Sequence, residues 1–140
     1  MMLNQAPYVL DDQIGYVLRR VMQRHLVIFS ETIPDITTTQ FAVLARLAQT
    51  GPLSQNLLGR ETAMDAATIK GVVDRLAKLG MVSTSADAND RRRLIVQLTK
   101  DGSARFARLR DAALAVSVQT LGPLTAHERS ALLALLARLV

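Results

Sequence analysis

Three consecutive arginines, Arg91, Arg92 and Arg93, stand at the end of a polar stretch, Ala86 to Arg93, between two short β-compatible runs. Guanidinium groups gathered at one spot bind polyanions, because each is a permanent charge with a planar fork of donors that suits phosphate oxygens. On a protruding ribbon an arginine can also enter a narrow DNA minor groove, where the potential is most negative. Asp87 and Asp90 stand close enough in sequence to orient the guanidinium groups by bidentate pairing. The same run would serve equally as a solvated basic patch. Its neighbour favours the first reading. Just upstream, a helical segment presents Ala67, Gly71, Asp74 and Lys78 on one face, with Lys70 and Arg75 on its flanks. Glycine inside a helix is unfavourable by ~1 kcal/mol relative to alanine. With Ala67, Gly71 would let the helix backbone approach the floor of a major groove, although a tolerated glycine on a wet face reads the same way.

These residues need elements to position them. Ile69, Val72, Val73 and Leu76 recur at the three-and-four spacing of a helix face. Asp65 precedes that run as an N-cap, and Gly80 follows it as a left-handed stop. Val82 to Ser85 is a β-compatible run, and Leu94, Val96 and Leu98 alternate with Ile95 and Gln97. A helix followed at once by a hairpin with a basic tip is the outline of a winged helix. Upstream, Pro34 ends one helix, and Thr37 and Gln40 have capping-box spacing for another that runs to about Gln49. Its apolar face includes Phe41, Leu44 and Leu47. Gly51-Pro52 breaks the chain, and Ser54 then caps a short helix from Gln55 to Thr62. In a helix-turn-helix this element crosses the DNA backbone, so Ser54, Gln55 and Asn56, expected to be exposed, are phosphate candidates as well as plain caps.

The flanks read as helices. Met1 to Leu10 is expected to be an arm, with Pro7 keeping a helix from running through it. From Asp11 to Glu31, Ile14, Val17, Leu18, Val21, His25, Ile28 and Phe29 share a face, flanked by Arg20 and Arg24. His25 on that stripe is either a packed histidine with one hydrogen-bond partner or a pocket residue that binds an acid or senses pH. A long helix is expected from Thr99 to about Leu121, with Phe106, Leu109, Ala113 and Val116 as its seam. Gly122-Pro123 breaks it, and Thr125 and Glu128 open a last helix to Val140. The segment SALLALLARLV is apolar around most of its circumference, and such a face on a small protein usually marks an interface. A homodimer built from the first helix and the last two is therefore expected.

Composition narrows the classes. At 140 residues and 49% hydrophobic, the chain is expected to be one domain, 1–140, with a real core. A net charge of +5 favours polyanionic partners, nucleic acid first and anionic membrane second. With no cysteine, disulfides, thiolate zinc sites and thiol redox sensing are excluded. No apolar run approaches the ~20 residues that span a bilayer. The first residues lack a basic stretch with an apolar one behind it, so no secretion signal is expected, and the cytoplasm is the expected location. His25 and His127 lie far apart in sequence, with no glycine-rich phosphate loop and no metal-ligand spacing. No enzyme, metal or cofactor is expected.

The segment DANDRRRLIVQLTKDG resembles the wing signature of the MarR family of bacterial transcription regulators. That signature runs Asp-Pro-x-Asp-Arg-Arg, then an apolar strand, Leu-Thr and a glycine. Asp87, Asp90, Arg91, Arg92, Leu98, Thr99 and Gly102 fall on it in register. Ala88 stands where the family often has proline, which would loosen the loop without altering its charges. VVDRLAKLGMV is similar to the end of the family's recognition helix, and ITTTQFAVLARL to the stretch that opens its second helix. The resemblance implies a mainly α fold with a small β-hairpin: a winged helix-turn-helix lobe at 36–99 and a helical dimerisation lobe from 8–33 and 100–140. It also implies a homodimeric repressor on an inverted repeat of double-stranded DNA. Arg92 matches the family arginine that enters the minor groove, leaving Arg91 and Arg93 as phosphate contacts or partners of Asp87 and Asp90. With Ser54, Gln55, Ala67, Thr68, Lys70, Gly71 and Arg75 these make up the expected DNA contacts. The family's small-molecule effector, commonly an aromatic acid, implies a pocket for which Arg20, His25, Phe29 and Phe41 are the candidates. A DNA-binding dimer without an effector, and a winged helix used only for protein contacts, remain open.

Overall fold

The computed structural model describes residues 6–140, so the first half of the expected arm lies outside the described residues. A single 3-10 turn, Leu10–Asp12, precedes helix α1 (Ile14–Thr32). The helix starts later than expected because Gln13 is extended and its side-chain amide donates back to the Val9 carbonyl at 3.0 Å. Helix α2 (Thr38–Thr50) opens with both halves of the capping box. The Gln40 N–H donates to Thr37 Oγ1 at 3.1 Å, and the Thr37 N–H to Gln40 Oε1 at 3.0 Å. These local bonds satisfy amides that the helix itself cannot.

Leu53–Ser54 forms a short strand, β1, ahead of helix α3 (Gln55–Glu61) and helix α4 (Ala66–Lys78). Strands β2 (Val82–Ala86) and β3 (Leu94–Leu98) then make the wing. The sheet is antiparallel in the order β1-β3-β2, so the expected hairpin is part of a three-stranded sheet. Leu53 pairs with Val96 and Ser54 with Ile95, while Val82 pairs with Leu98 at the wing's base. This pairing corrects Ser54, expected to be exposed. It is 7% exposed, and its hydroxyl accepts the Leu57 N–H.

Helix α4 stops as its sequence dictates. Gly80 has φ +74°, its N–H donates to the Ala77 carbonyl, and the Met81 N–H reaches the Leu76 carbonyl at 2.9 Å. This is the Schellman closure that glycine makes without steric cost. Thr99 then ties the next junction to this one. Its N–H donates to the Met81 carbonyl at 3.0 Å, and its hydroxyl to the Gly80 carbonyl at 2.6 Å. The same hydroxyl accepts the Gly102 N–H, capping helix α5 (Lys100–Thr120). Helix α6 (Ala126–Ala137) opens on the Thr125–Glu128 capping box and stops short of the expected Val140.

The core lies in the winged lobe. Val43, Leu44 and Leu47 of α2 meet Leu58, Ile69, Val73, Leu76 and Val96 there, all 2% exposed or less. Phe29, Ile33 and Val116 extend it between α1 and α5. Two faces stay uncovered. Helix α6 has no buried residue, and Leu133 and Leu135 are each 57% exposed. Along α1, Ile14, Val17, Leu18 and Val21 form an exposed apolar stripe.

Candidate nucleic-acid interface

The buried stripe of α4, Ile69, Val72, Val73 and Leu76, holds the helix against α2 and α3. Ala67, Thr68, Lys70, Gly71, Asp74, Arg75 and Lys78 consequently face solvent. Nothing lies within 4 Å of where a side chain on Gly71 would begin, so the backbone is open to approach there. At the helix start, the Thr68 N–H donates to Asp65 Oδ1 at 2.7 Å. That bond, with a second from the Thr68 hydroxyl, holds the Asp65 carboxyl below its usual range. A carboxylate whose folded pKa is lowered contributes stability that is complete above about pH 4 and drains away as pH falls through the folded value. An acid titration followed by circular dichroism should therefore show the wild type losing more stability than Asp65→Asn below about pH 4. Parallel curves would contradict the role of this cap.

Lys70 Nζ lies 2.9 Å from Asp74 Oδ2, a pairing on the exposed face that the sequence reading did not single out. The wing stands beside this helix. The Asp87 N–H donates to the Arg93 carbonyl and the Arg93 N–H to the Asp90 carbonyl, closing the loop. Asp87 Oδ1 accepts the Asn89 N–H at 2.9 Å and Asp90 Oδ1 the Arg92 N–H at 3.0 Å, so both carboxylates brace the turn.

The arginine pairing differs from expectation. Asp90 meets Nε of Arg92 at 3.3 Å, and Asp87 meets Nε of Arg93 at 3.9 Å. Each contact uses one nitrogen rather than a bidentate fork. Arg91 has no carboxylate partner among the described residues. Loop closure decides this, since the turn that binds the Arg92 amide to Asp90 carries the Arg92 side chain with it. Arg92 is still 92% exposed, with the tip of its guanidinium free to reach outward. Ser54, Gln55 and Asn56 border a recess of about 100 Å³ with Arg92, Arg93 and Leu94, so the start of α3 and the wing share one surface.

A second candidate site lies where α1, α2 and α5 meet. His25, Phe29, Thr38, Phe41, Ala42, Ala113, Val116 and Ser117 line a pocket of about 180 Å³. Phe29 and Phe41 meet edge to face with centroids 6.1 Å apart, and the Phe106 ring lies tilted against Phe41 with centroids 5.7 Å apart. His25 Nδ1 and Thr120 Oγ1 share a 2.8 Å hydrogen bond. Beside it, Arg24 donates to the Thr120 carbonyl and, at 3.0 Å, to the Gln119 carbonyl, satisfying the free end of α5. Three of the four expected pocket residues thus come together and Arg20 does not. Five residues before His25, it lies about 140° around the helix, exposed, with its guanidinium 6.0 Å from the Tyr16 ring. Thr38, Ser117 and the Arg24 cap carried no local signal, because they meet their partners only through the packing of α1, α2 and α5. Among the described residues no cluster of histidine or carboxylate could hold a metal, and no helix is long and apolar enough to cross a membrane.

Comparison with known proteins bears on this geometry. Residues 36–94 match the model of the MarR family. The chain is 40% identical to the HTH-type transcriptional repressor NicR of Pseudomonas putida, over 99% of this chain and 89% of that protein. A solved structure of a probable transcriptional regulator from Pseudomonas aeruginosa superposes with a TM-score of 0.89 at 50% identity, covering 94% of this chain and all of that one (100%). Bordetella bronchiseptica BpsR, whose DNA binding is regulated by 6-hydroxynicotinic acid, superposes with a TM-score of 0.92 at 38% identity, covering 96% of this chain and 97% of that one.

Proposed function

This chain belongs to the MarR family of winged helix-turn-helix transcription regulators, and from that premise we propose that it is an effector-released repressor of the cytoplasm. It binds an inverted-repeat operator as a homodimer, through the lobe at 36–99, and dimerises through 8–33 and 100–140. The observation that carries the reading is the juxtaposition of a small-residue helix face, Ala67 and Gly71, with an arginine-tipped wing on the same lobe. Thr68, Lys70, Gly71 and Arg75 face the major groove, and Arg92 enters the minor groove. Gln55, Arg91 and Arg93 meet phosphates beside the recess that the start of α3 shares with the wing. Phosphate contacts set register, while base edges in the groove specify sequence. The role is non-enzymatic, as the regulator names of the chain's relatives support.

The effector is a small aromatic acid held by His25, Phe29 and Phe41. The BpsR ligand, a hydroxylated heteroaromatic acid, supports that class. The pocket's aromatic walls would take a flat ring, and His25 would take a polar substituent in place of Thr120. Such a ligand acts by preferring the conformer that does not bind DNA, which is the only way binding shifts the equilibrium.

The test is titration of purified protein onto DNA upstream of its own gene, with salt varied. A protected inverted repeat and a steep salt dependence support the reading. Binding no tighter than to random duplex contradicts it for that fragment, and selection from a random pool then separates a distant operator from a protein-interaction module. Arg92→Ala should weaken operator binding at least tenfold, about 1.4 kcal/mol or more; unchanged affinity in a folded variant removes Arg92 from the contact. Adding 6-hydroxynicotinic acid and related acids should release the operator, and His25→Ala should need at least about tenfold more acid, the loss of roughly one charge-assisted hydrogen bond. Release at the wild-type concentration would rule out His25 as a ligand contact.

A further inference from the structure

We infer that Asp74 and Lys70 act as one base-reading pair, taking a G·C base pair in each half-site with cytosine against Asp74 and guanine against Lys70. The inference rests on α4 being the groove helix. Asp74 sits opposite the buried stripe of that helix, at the centre of its exposed face, with Ala67 and Gly71 as its small neighbours. Its side chain is 52% exposed and that of Lys70 67%.

The pair adds little to the helix itself. Acid-before-base at four residues is the more favourable order, and here the base comes first. The lysine is also the nearer of the two to the positive end of the helix, and the aspartate the nearer to the negative end. Nor does Asp74 serve general attraction to DNA, since a carboxylate on a face that approaches phosphates repels them. An anion is useful there only against a donor. In the major groove the base-edge donors are the amino groups of cytosine and adenine.

The geometry fits a single base pair. Lys70 Nζ and Asp74 Oδ2 are 2.9 Å apart, a donor and an acceptor side by side. The guanine O6 and the cytosine N4 of one pair are themselves joined by a hydrogen bond, so they lie about 3 Å apart. Laid against them, the side-chain pair places lysine on O6 and carboxylate on N4. Guanine N7 beside O6 adds a second acceptor for the lysine. A reversed fit onto A·T is worse on both sides. Adenine N7 beside N6 repels the carboxylate, and the thymine methyl beside O4 offers the ammonium nothing. Asp74 Oδ2 has a second lone pair besides the one that holds Lys70, and Oδ1 makes no hydrogen bond among the described residues, so the carboxylate can hold Lys70 and accept from cytosine together.

The experiment is selection from a random duplex pool with the wild type, Asp74→Ala, Asp74→Asn and Lys70→Ala, each checked for helicity, followed by binding to the selected site and its single-pair variants. The wild type should require C·G at one symmetric position in each half-site, losing about tenfold or more when it becomes A·T. Asp74→Ala should lose that preference while keeping the rest of the motif, and should bind random DNA more tightly. Asp74→Asn should move the preference toward adenine, which asparagine reads with both ends of its amide. Lys70→Ala should weaken discrimination at the same position. An identical motif from wild type and Asp74→Ala overturns the inference and leaves α4 as the groove helix. A wild type that selects no motif overturns the groove assignment, and this inference with it.

Discussion

Gly102→Ala is expected to destabilise the protein by about 3 kcal/mol. A side-chain carbon there would begin 1.9 Å from the Met81 carbonyl oxygen and 2.8 Å from its carbon. The obstacle is backbone, so no rotamer change relieves it. Moving Met81 away would pull its carbonyl from the Thr99 N–H, now at 3.0 Å, and strain the Gly80 turn that ends α4. Moving α5 instead would break the Thr99 cap. Chemical denaturation should show a large fall in midpoint with the slope kept. A midpoint close to wild type would mean that the junction yields cheaply. Gly71→Ala is the contrast. With nothing within 4 Å of the new carbon, folding stability should rise by up to about 1 kcal/mol, while operator binding falls as the methyl enters the groove.

Leu18→Glu combined with Leu135→Glu is expected to yield a folded monomer whose operator affinity falls about a hundredfold or more. Both leucines are exposed, at 42% and 57%, and neither belongs to the core of the winged lobe. Burying two carboxylates per subunit in an apolar interface without partners is strongly unfavourable. Once the subunits part, the second half-site is no longer bound at the high effective concentration that linkage provides. Sedimentation should show the mass halved while the helical circular dichroism signal persists. A dimer that survives both changes would place the interface elsewhere.

Features decided by neighbours along the chain were legible in the residues alone. The capping boxes at Thr37 and Thr125, the Asp65 cap and the Gly80 stop each need only a few consecutive residues, and all are present. The buried stripe of α4 followed from its spacing for the same reason. Strand β1 did not, because two residues carry no periodicity and their strand character comes from β3, some forty residues away. Arg20 was placed by composition, a cation near a histidine, and helix angle separates them. The wing carboxylates were found, but which arginine each would take depended on the turn that the same carboxylates brace. Lys70 and Asp74 stood at the spacing that lets side chains meet, and their partnership was missed because charge was read residue by residue.

The bare surface of α6 carries a consequence for the amount of protein in the cell. No residue of that helix is buried within its own chain, so in the proposed dimer part of the folding free energy is released only when two chains meet. Melting temperature should then climb with protein concentration, by mass action. A repressor of this kind is at its least durable when scarce: newly made chains unfold and are degraded more readily until enough accumulate to pair. The threshold for silencing a promoter is thereby set in part by survival of the chain, and not by DNA affinity alone.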